Sequence, residues 1–246
     1  MLPLKDTNPT SRVPVVTYAL ILVNVLVYFL WQKGELTAGD PSSSPYFCQL
    51  VDWAAIPAEL TDPGTNFTGQ GCAGPGAGPT YLTPFTAMFM HGGLLHLGGN
   101  MLFLWIFGNN VEDRMGSARY LVFYLLAGLA ALGLQVAIDP SSKVPTLGAS
   151  GAIAGVLGAY IVLYPRARVW TWVFIVVLPL RAFWVLGYWF VTQALFGYGD
   201  LMQPGAGGSG GVAYFAHIGG FVFGLLLVKA FAAGRMPPPS ASARIA

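Results

Sequence analysis

TLGASGAIAGVLGAY, residues 146–160, carries no charge and sets one serine, Ser150, in the frame Gly148-Ala149-Ser150-Gly151 among small and apolar residues suited to a membrane interior. Gly151 and Gly155 stand four apart, on one face of a helix, where missing side chains let a neighbouring backbone come close. The segment reads as a tightly packed membrane helix, and the hydroxyl inside it calls for a reason.

The chain around it supports a membrane setting. Of 246 residues, 55% are hydrophobic and 9% charged, against about 25% charge in an average soluble domain. Apolar runs occur at 14–31, 94–110, 118–138, 147–164, 169–196 and 212–228, each near or above the ~18 residues of a spanning helix. The expected fold is all-α, a polytopic membrane protein with six transmembrane helices in one bundle. The first run is too long for the apolar core of a signal peptide and lacks a small-x-small cleavage site just after it, so it is expected to be retained. The fifth is interrupted by Pro179 and Arg181. Residues 169–180 can therefore lie along the interface, with the span beginning near Arg181, whose stem reaches the headgroups.

Six spans put Lys5, Arg12, Arg114, Arg119, Arg166, Arg168, Arg181, Lys229, Arg235 and Arg244 on one side and Lys33 and Lys143 on the other. The side rich in Lys and Arg is the cytoplasmic one. The expectation is a multi-pass protein of the plasma membrane with both termini cytoplasmic. It has a cytoplasmic N-terminal segment at 1–13, a membrane domain at 14–232 and a disordered tail at 233–246. The largest connection is an extracytoplasmic loop at 32–81, in which Trp53, Ile56 and Leu60 are suited to the membrane surface. Cys48 and Cys72 both fall in this loop, on the side where disulfides persist. A bridge and two free thiols are both compatible with the sequence. The net charge of +2 follows from topology, and no basic patch interleaved with aromatics points to nucleic acid.

The three histidines, His91, His96 and His217, all lie in or at the edge of apolar runs, where a polar side chain is costly and marks either a functional site or a hydrogen bond between helices. His96 and Asn100 are four apart and share a face. Ser150 and His96 each stand 16 residues from a cytoplasmic charge, Arg166 and Glu112, or roughly 24 Å along a helix. His217 and Asn100 each stand 12 from Lys229 and Glu112, or roughly 18 Å. All four side chains fall in one layer above the midplane. Gly220 and Gly224 match Gly151 and Gly155 as a second small-xxx-small pair, and packing of the two helices would bring Ser150 to His217. The glycines alone are ordinary packing devices, and each polar residue alone can be interhelical glue. A serine and a histidine at matched depth are also a nucleophile and its base, with the Ser150 backbone N–H, His96 and Asn100 as donors for an oxyanion. No Asp or Glu lies inside a run, so the arrangement would be a Ser-His dyad without a carboxylate.

On these residues the chain resembles the rhomboid family of intramembrane serine proteases. The motifs that carry the resemblance are H-x-x-x-x-H-x-x-x-N from His91 to Asn100, G-x-S-G from Gly148 to Gly151, A-H-x-x-G from Ala216 to Gly220 and V-E-D-R-M-G from Val111 to Gly116. The resemblance implies a six-helix rhomboid-type bundle, Ser150 as nucleophile, His217 as base, and His96 with Asn100 as oxyanion hole. It leaves His91 outside the catalytic set, makes Glu112 and Arg114 a structural ion-pair network, and gives the glycine-rich segment before the last helix the place of a cap over the site. The chain departs from the family pattern at Ala154, where some members carry an aromatic against the catalytic histidine, and at Leu82 and Thr83, where some carry a Trp-Arg pair.

The implied activity is endopeptidase cleavage within or beside the transmembrane helix of single-pass membrane proteins in the bilayer. Bonds near small or helix-breaking residues are the accessible ones. No cofactor is implied, and no metal, since three histidines without embedded carboxylates or cysteines make no plausible site. Two rivals are a noncatalytic rhomboid-like protein that binds transmembrane helices and a small-solute transporter. The first would be expected to lack the serine or the histidine. The second is disfavoured by the lack of inverted repeats and of buried carboxylates.

Overall fold

The computed structural model describes residues 1–32, 45–62, 79–202 and 212–234. The described chain is mostly helical. α1 (Val15–Leu26) continues through a widened turn to Trp31. α2 (Pro45–Trp53) and α3 (Pro57–Thr61) follow, and α4 (Thr83–Thr86) leads into α5 (Leu94–Phe103). A second widened turn at Leu104–Gly108 carries α5 into α6 (Asn109–Met115). Then come α7 (Ser117–Ile138), α8 (Ser150–Leu163), α9 (Ala182–Met202) and α10 (Tyr214–Phe231). By length and composition α7 and α10 are each long and apolar enough to cross a membrane. Large apolar side chains stay uncovered on the outer faces, among them Leu30, Trp184, Leu195 and Leu226 at 64–72% exposure, a surface suited to lipid.

α8 is the central post. Every residue from Gly151 to Tyr160 is buried, which is why that stretch holds no charge and so little bulk. A Cβ on Gly220 would strike the carbonyl oxygen of Gly151, one on Gly224 that of Gly155, and one on Gly158 that of Phe221. The two glycine pairs therefore set α8 and α10 backbone to backbone, as the sequence spacing implies, and Gly158 adds a third point of contact. At 14 residues, α8 is roughly 21 Å long, short of the ~30 Å of a bilayer core. Its first residue is Ser150 rather than Leu147. The approach to it is extended and pinned by backbone bonds, Thr146 with Ala55 in both directions (2.8 and 3.0 Å) and the Gly148 amide to the Ala87 carbonyl (2.8 Å). Gly148 takes φ +118°, open to glycine and strained for other residues.

The all-α expectation needs correcting. Leu2–Asp6 (β1), Arg168–Val173 (β2) and Val176–Arg181 (β3) form an antiparallel sheet in the order β1-β2-β3, with Trp170 opposite Lys5 on one side and Pro179 on the other. The residue types explain it. VWTWV and VVL are β-branched and aromatic, with Val169 and Thr171 turned inward and Trp170 and Trp172 outward. Pro179 lacks an N–H but sits on the outer strand, where the loss is tolerated. The interruption of the fifth run is thus a hairpin, and α9 begins at Ala182. The segment 1–13, expected as a plain cytoplasmic extension, contributes a strand.

Part of the loop 32–81 is built into the bundle. Ile56 is buried rather than on the membrane surface, and the Trp53 ring meets Trp31 edge-on at 5.4 Å. Cys48 is disulfide-bonded, which favours the bridge over free thiols; Cys72, the other cysteine of the sequence, lies outside the described residues. The cap segment at 203–211 and the tail from Arg235 also lie outside them. Glu112 is no simple ion-pair member. Its carboxylate accepts from the Val16 and Thr17 amides, the Thr17 hydroxyl and the Ser117 hydroxyl (2.6–3.0 Å), closing the open first turn of α1 from another helix. Arg114 does the converse at the end of α10, donating to the Ala232 carbonyl at 3.2 Å.

Candidate active site

Because α8 starts inside the bundle, the backbone amides of its first turn have no acceptor within the helix. The positive end of the helix dipole lies at the same end of α8 as Ser150. Ser150 Oγ lies 2.8 Å from His217 Nε2. His217 is in the first turn of α10, whose open Ala216 amide is held by Gln135 Oε1 of α7 at 3.2 Å. The Gly151–Gly220 approach just below fixes the spacing of the two side chains.

Ser150 and His217 open onto a cavity of about 550 Å³ that His96 and Asn100 also line. Asn100 is buried, and among the described residues its Nδ2 has no hydrogen-bond partner. The Gly92 amide points at His96 Nδ1 from 3.3 Å, so that nitrogen accepts and Nε2 carries the proton. His96 Nε2 and Ser150 Oγ lie 2.9 and 3.5 Å from the point where a Gly148 Cβ would stand, so a side chain at 148 would fall between them. Asn100 Nδ2 and His96 Nε2–H line the same cavity as a serine on its histidine and are suited to receive an oxygen that gains negative charge. The four residues expected to share a layer, Ser150, His217, His96 and Asn100, thus line one cavity.

His91 is outside that cavity. Fully buried, it meets the His96 ring edge-on at 5.1 Å, and its backbone exchanges hydrogen bonds with the Gln32 side chain in both directions (3.1 and 3.3 Å). Its part is to brace His96 and join the end of α1 to the start of α5.

The support of His217 comes from residues that the motifs do not contain. Gln193 Oε1 of α9 lies 2.7 Å from His217 Nδ1, and the Trp189 ring covers the imidazole at 5.7 Å between centroids. Ala154 is fully buried, with its Cβ 3.3 Å from where a Gly220 Cβ would stand. α10 has closed on the position where an aromatic would need room, and the ring comes from α9 instead. The sequence signal for Gln193 was the one that exposed the histidines, a costly polar side chain in an apolar run.

A family model for the rhomboid domain matches residues 79–233, which hold all of these groups. Among curated proteins the chain is similar to rhomboid protein 1, mitochondrial, of Saccharomyces cerevisiae, 31% identical over 145 residues, 56% of this chain and 38% of that protein. It is similar to rhomboid protease GluP of Bacillus subtilis, 34% identical over 155 residues, 62% of this chain and 26% of that protein. To RHOMBOID-like protein 6, mitochondrial, of Arabidopsis thaliana it is 33% identical over 147 residues, 58% of this chain and 41% of that protein. The match thus spans between 26% and 41% of the length of these relatives.

Proposed function

The chain belongs to the rhomboid family, and from that premise we propose that it is an intramembrane serine endopeptidase that cleaves single-pass membrane proteins within or beside their transmembrane helix. The observation that carries the reading is the 2.8 Å contact of Ser150 Oγ with His217 Nε2, beside a cavity into which Asn100 brings a donor that has no partner among the described residues. A serine used only for packing has no need of a base or of idle donors.

In the proposed reaction His217 Nε2 takes the Ser150 proton as Oγ bonds to the scissile carbonyl carbon. The carbonyl oxygen becomes an oxyanion, met by Asn100 Nδ2, His96 Nε2–H and the Ser150 amide. Collapse breaks the C–N bond, and the imidazolium gives its proton to the departing amine. Water then adds to the acyl-serine with His217 again as base, releasing the new carboxylate and restoring the hydroxyl. Each step uses groups of this chain, and no cofactor is called for. The start of α8 at Ser150 supports the reading, since it leaves the serine at the open end of its helix, beside the cavity.

The same proposal takes α1, α5 with α6, α7, α8, α9 and α10 as six spans, with both termini cytoplasmic and the site opening to the other side of the plasma membrane. Its test is proteolysis in proteoliposomes of a single-pass reporter whose helix carries Gly and Pro near its outer end. The wild type should yield two fragments, while Ser150→Ala and His217→Ala should leave the reporter whole. Equal cleavage by Ser150→Ala would refute the assignment.

A further inference from the structure

The proposed protease needs a neutral His217 whose Nε2 is bare, yet among the described residues no carboxylate stands behind the imidazole to select that tautomer. We propose that Gln193 is the third member of the site, a positioning residue that fixes the His217 tautomer and ring angle through its side-chain carbonyl. The inference rests on the protease reading for its consequence in rate, but the contact itself is independent of it.

Which end of the amide faces the histidine follows from its other neighbours. Gln193 Nε2 lies 3.4 Å from the Trp189 carbonyl and 3.3 Å from the Thr192 hydroxyl. A backbone carbonyl can only accept, so the amide nitrogen belongs at that end and Oε1 at the other, 2.7 Å from His217 Nδ1. An amide oxygen likewise only accepts, and at 2.7 Å it requires a proton on Nδ1. Neutral imidazole carries one proton, so Nε2 is left with its lone pair toward Ser150. Rotating the ring by half a turn, or moving the proton to Nε2, would lose the bond to Gln193 and the base function together.

A neutral amide suits the setting. A carboxylate would hold the imidazolium more firmly, but an ionised Asp or Glu at membrane depth is costly, whereas a glutamine satisfied at both ends costs little. Gln193 also lies on α9, while Ser150 starts α8 and His217 is in the first turn of α10. Through it, and through the Trp189 ring one turn earlier, α9 takes part in orienting the base, so the site is complete only when α9 is packed against α10.

Two measurements on the full chain in lipid nanodiscs test this. With only three histidines in the chain, 15N-histidine labelling allows the His217 signals to be assigned by their loss in His217→Ala. The wild type should show Nδ1 protonated and Nε2 bare, and Gln193→Leu should lose that single tautomer. In parallel, labelling by a fluorophosphonate should keep its apparent affinity in Gln193→Leu while its maximal rate falls at least about tenfold. Gln193→Glu, which keeps the acceptor, should retain the tautomer and most of the rate; if Gln193→Leu fails to fold, this variant still decides by its tautomer. An unchanged tautomer and rate in Gln193→Leu, or loss of both in folded Gln193→Glu, would overturn the proposal. A wild type that never labels would defeat the protease reading, and the NMR arm would still decide whether Gln193 sets the tautomer.

Discussion

Ser150, His217, His96 and Asn100 were legible in the sequence because each is a polar side chain where polarity is expensive, and helical spacing gives a common depth. Gln193 obeys the same rule but lies in a run that Pro179 and Arg181 interrupt, where depth cannot be counted from the chain. Its partner at His217 is 24 residues away, a pairing that only the fold reveals. Among these residues Asn100 offers a test that separates function from stability. Its buried Nδ2 has no partner among the described residues, and an unsatisfied buried donor costs about 1–3 kcal/mol. Asn100→Ala should therefore leave the thermal unfolding temperature unchanged or raised. Turnover should fall about 10² to 10³-fold, the usual effect of removing one oxyanion donor. A fall in stability with turnover intact would make Asn100 a packing residue.

Among the elements, the glycine-faced packing of α8 on α10 could be read from spacing alone, since small-xxx-small pairs have few other uses in a membrane helix. The sheet could not. Its strands come from residues 2–6 and 168–181, and a segment as apolar as 169–180 fits an interfacial stretch as well as a hairpin until its partner strand is known. Asp6 shows how the sheet is tied to the bundle. Its carboxylate accepts from the Tyr160 hydroxyl at 2.7 Å and from Asn110 Nδ2 at 2.8 Å, and Asn110 in turn accepts from Asn8. These bonds favour the ionised form, but burial outweighs them and raises the Asp6 carboxyl from 3.8 to about 6. In that interval the folded chain holds a proton that the unfolded chain releases, so the contribution of Asp6 to stability is full below pH ~4 and is lost as pH rises through about 6. Hydrogen exchange at Leu2–Asp6, corrected for intrinsic rates, should therefore be slower at pH 5 than at pH 7, and Asp6→Asn should abolish the difference. Faster exchange at the lower pH would show the hydrogen bonds prevailing over burial.

At the scale of the whole molecule the helix order and the location of the site follow from hydropathy, charge and four short motifs. What the sequence left open is where the serine's helix begins. Composition cannot tell a residue inside a span from one at the start of a short helix, because both are flanked by apolar residues. The structure starts α8 at Ser150 itself, which places the hydroxyl at the open end of the helix, beside the cavity that His217, His96 and Asn100 also line. The central claim is that this hydroxyl is activated by His217. The most direct measurement is covalent labelling of the folded, solubilised protein by a fluorophosphonate, which traps an activated serine and ignores an ordinary one, with the modified residue located by mass spectrometry. A single adduct is expected at Ser150, lost in Ser150→Ala and also in His217→Ala, where the serine remains but its base is gone. Labelling that persists without His217, or a folded wild type that takes up no label, would contradict it.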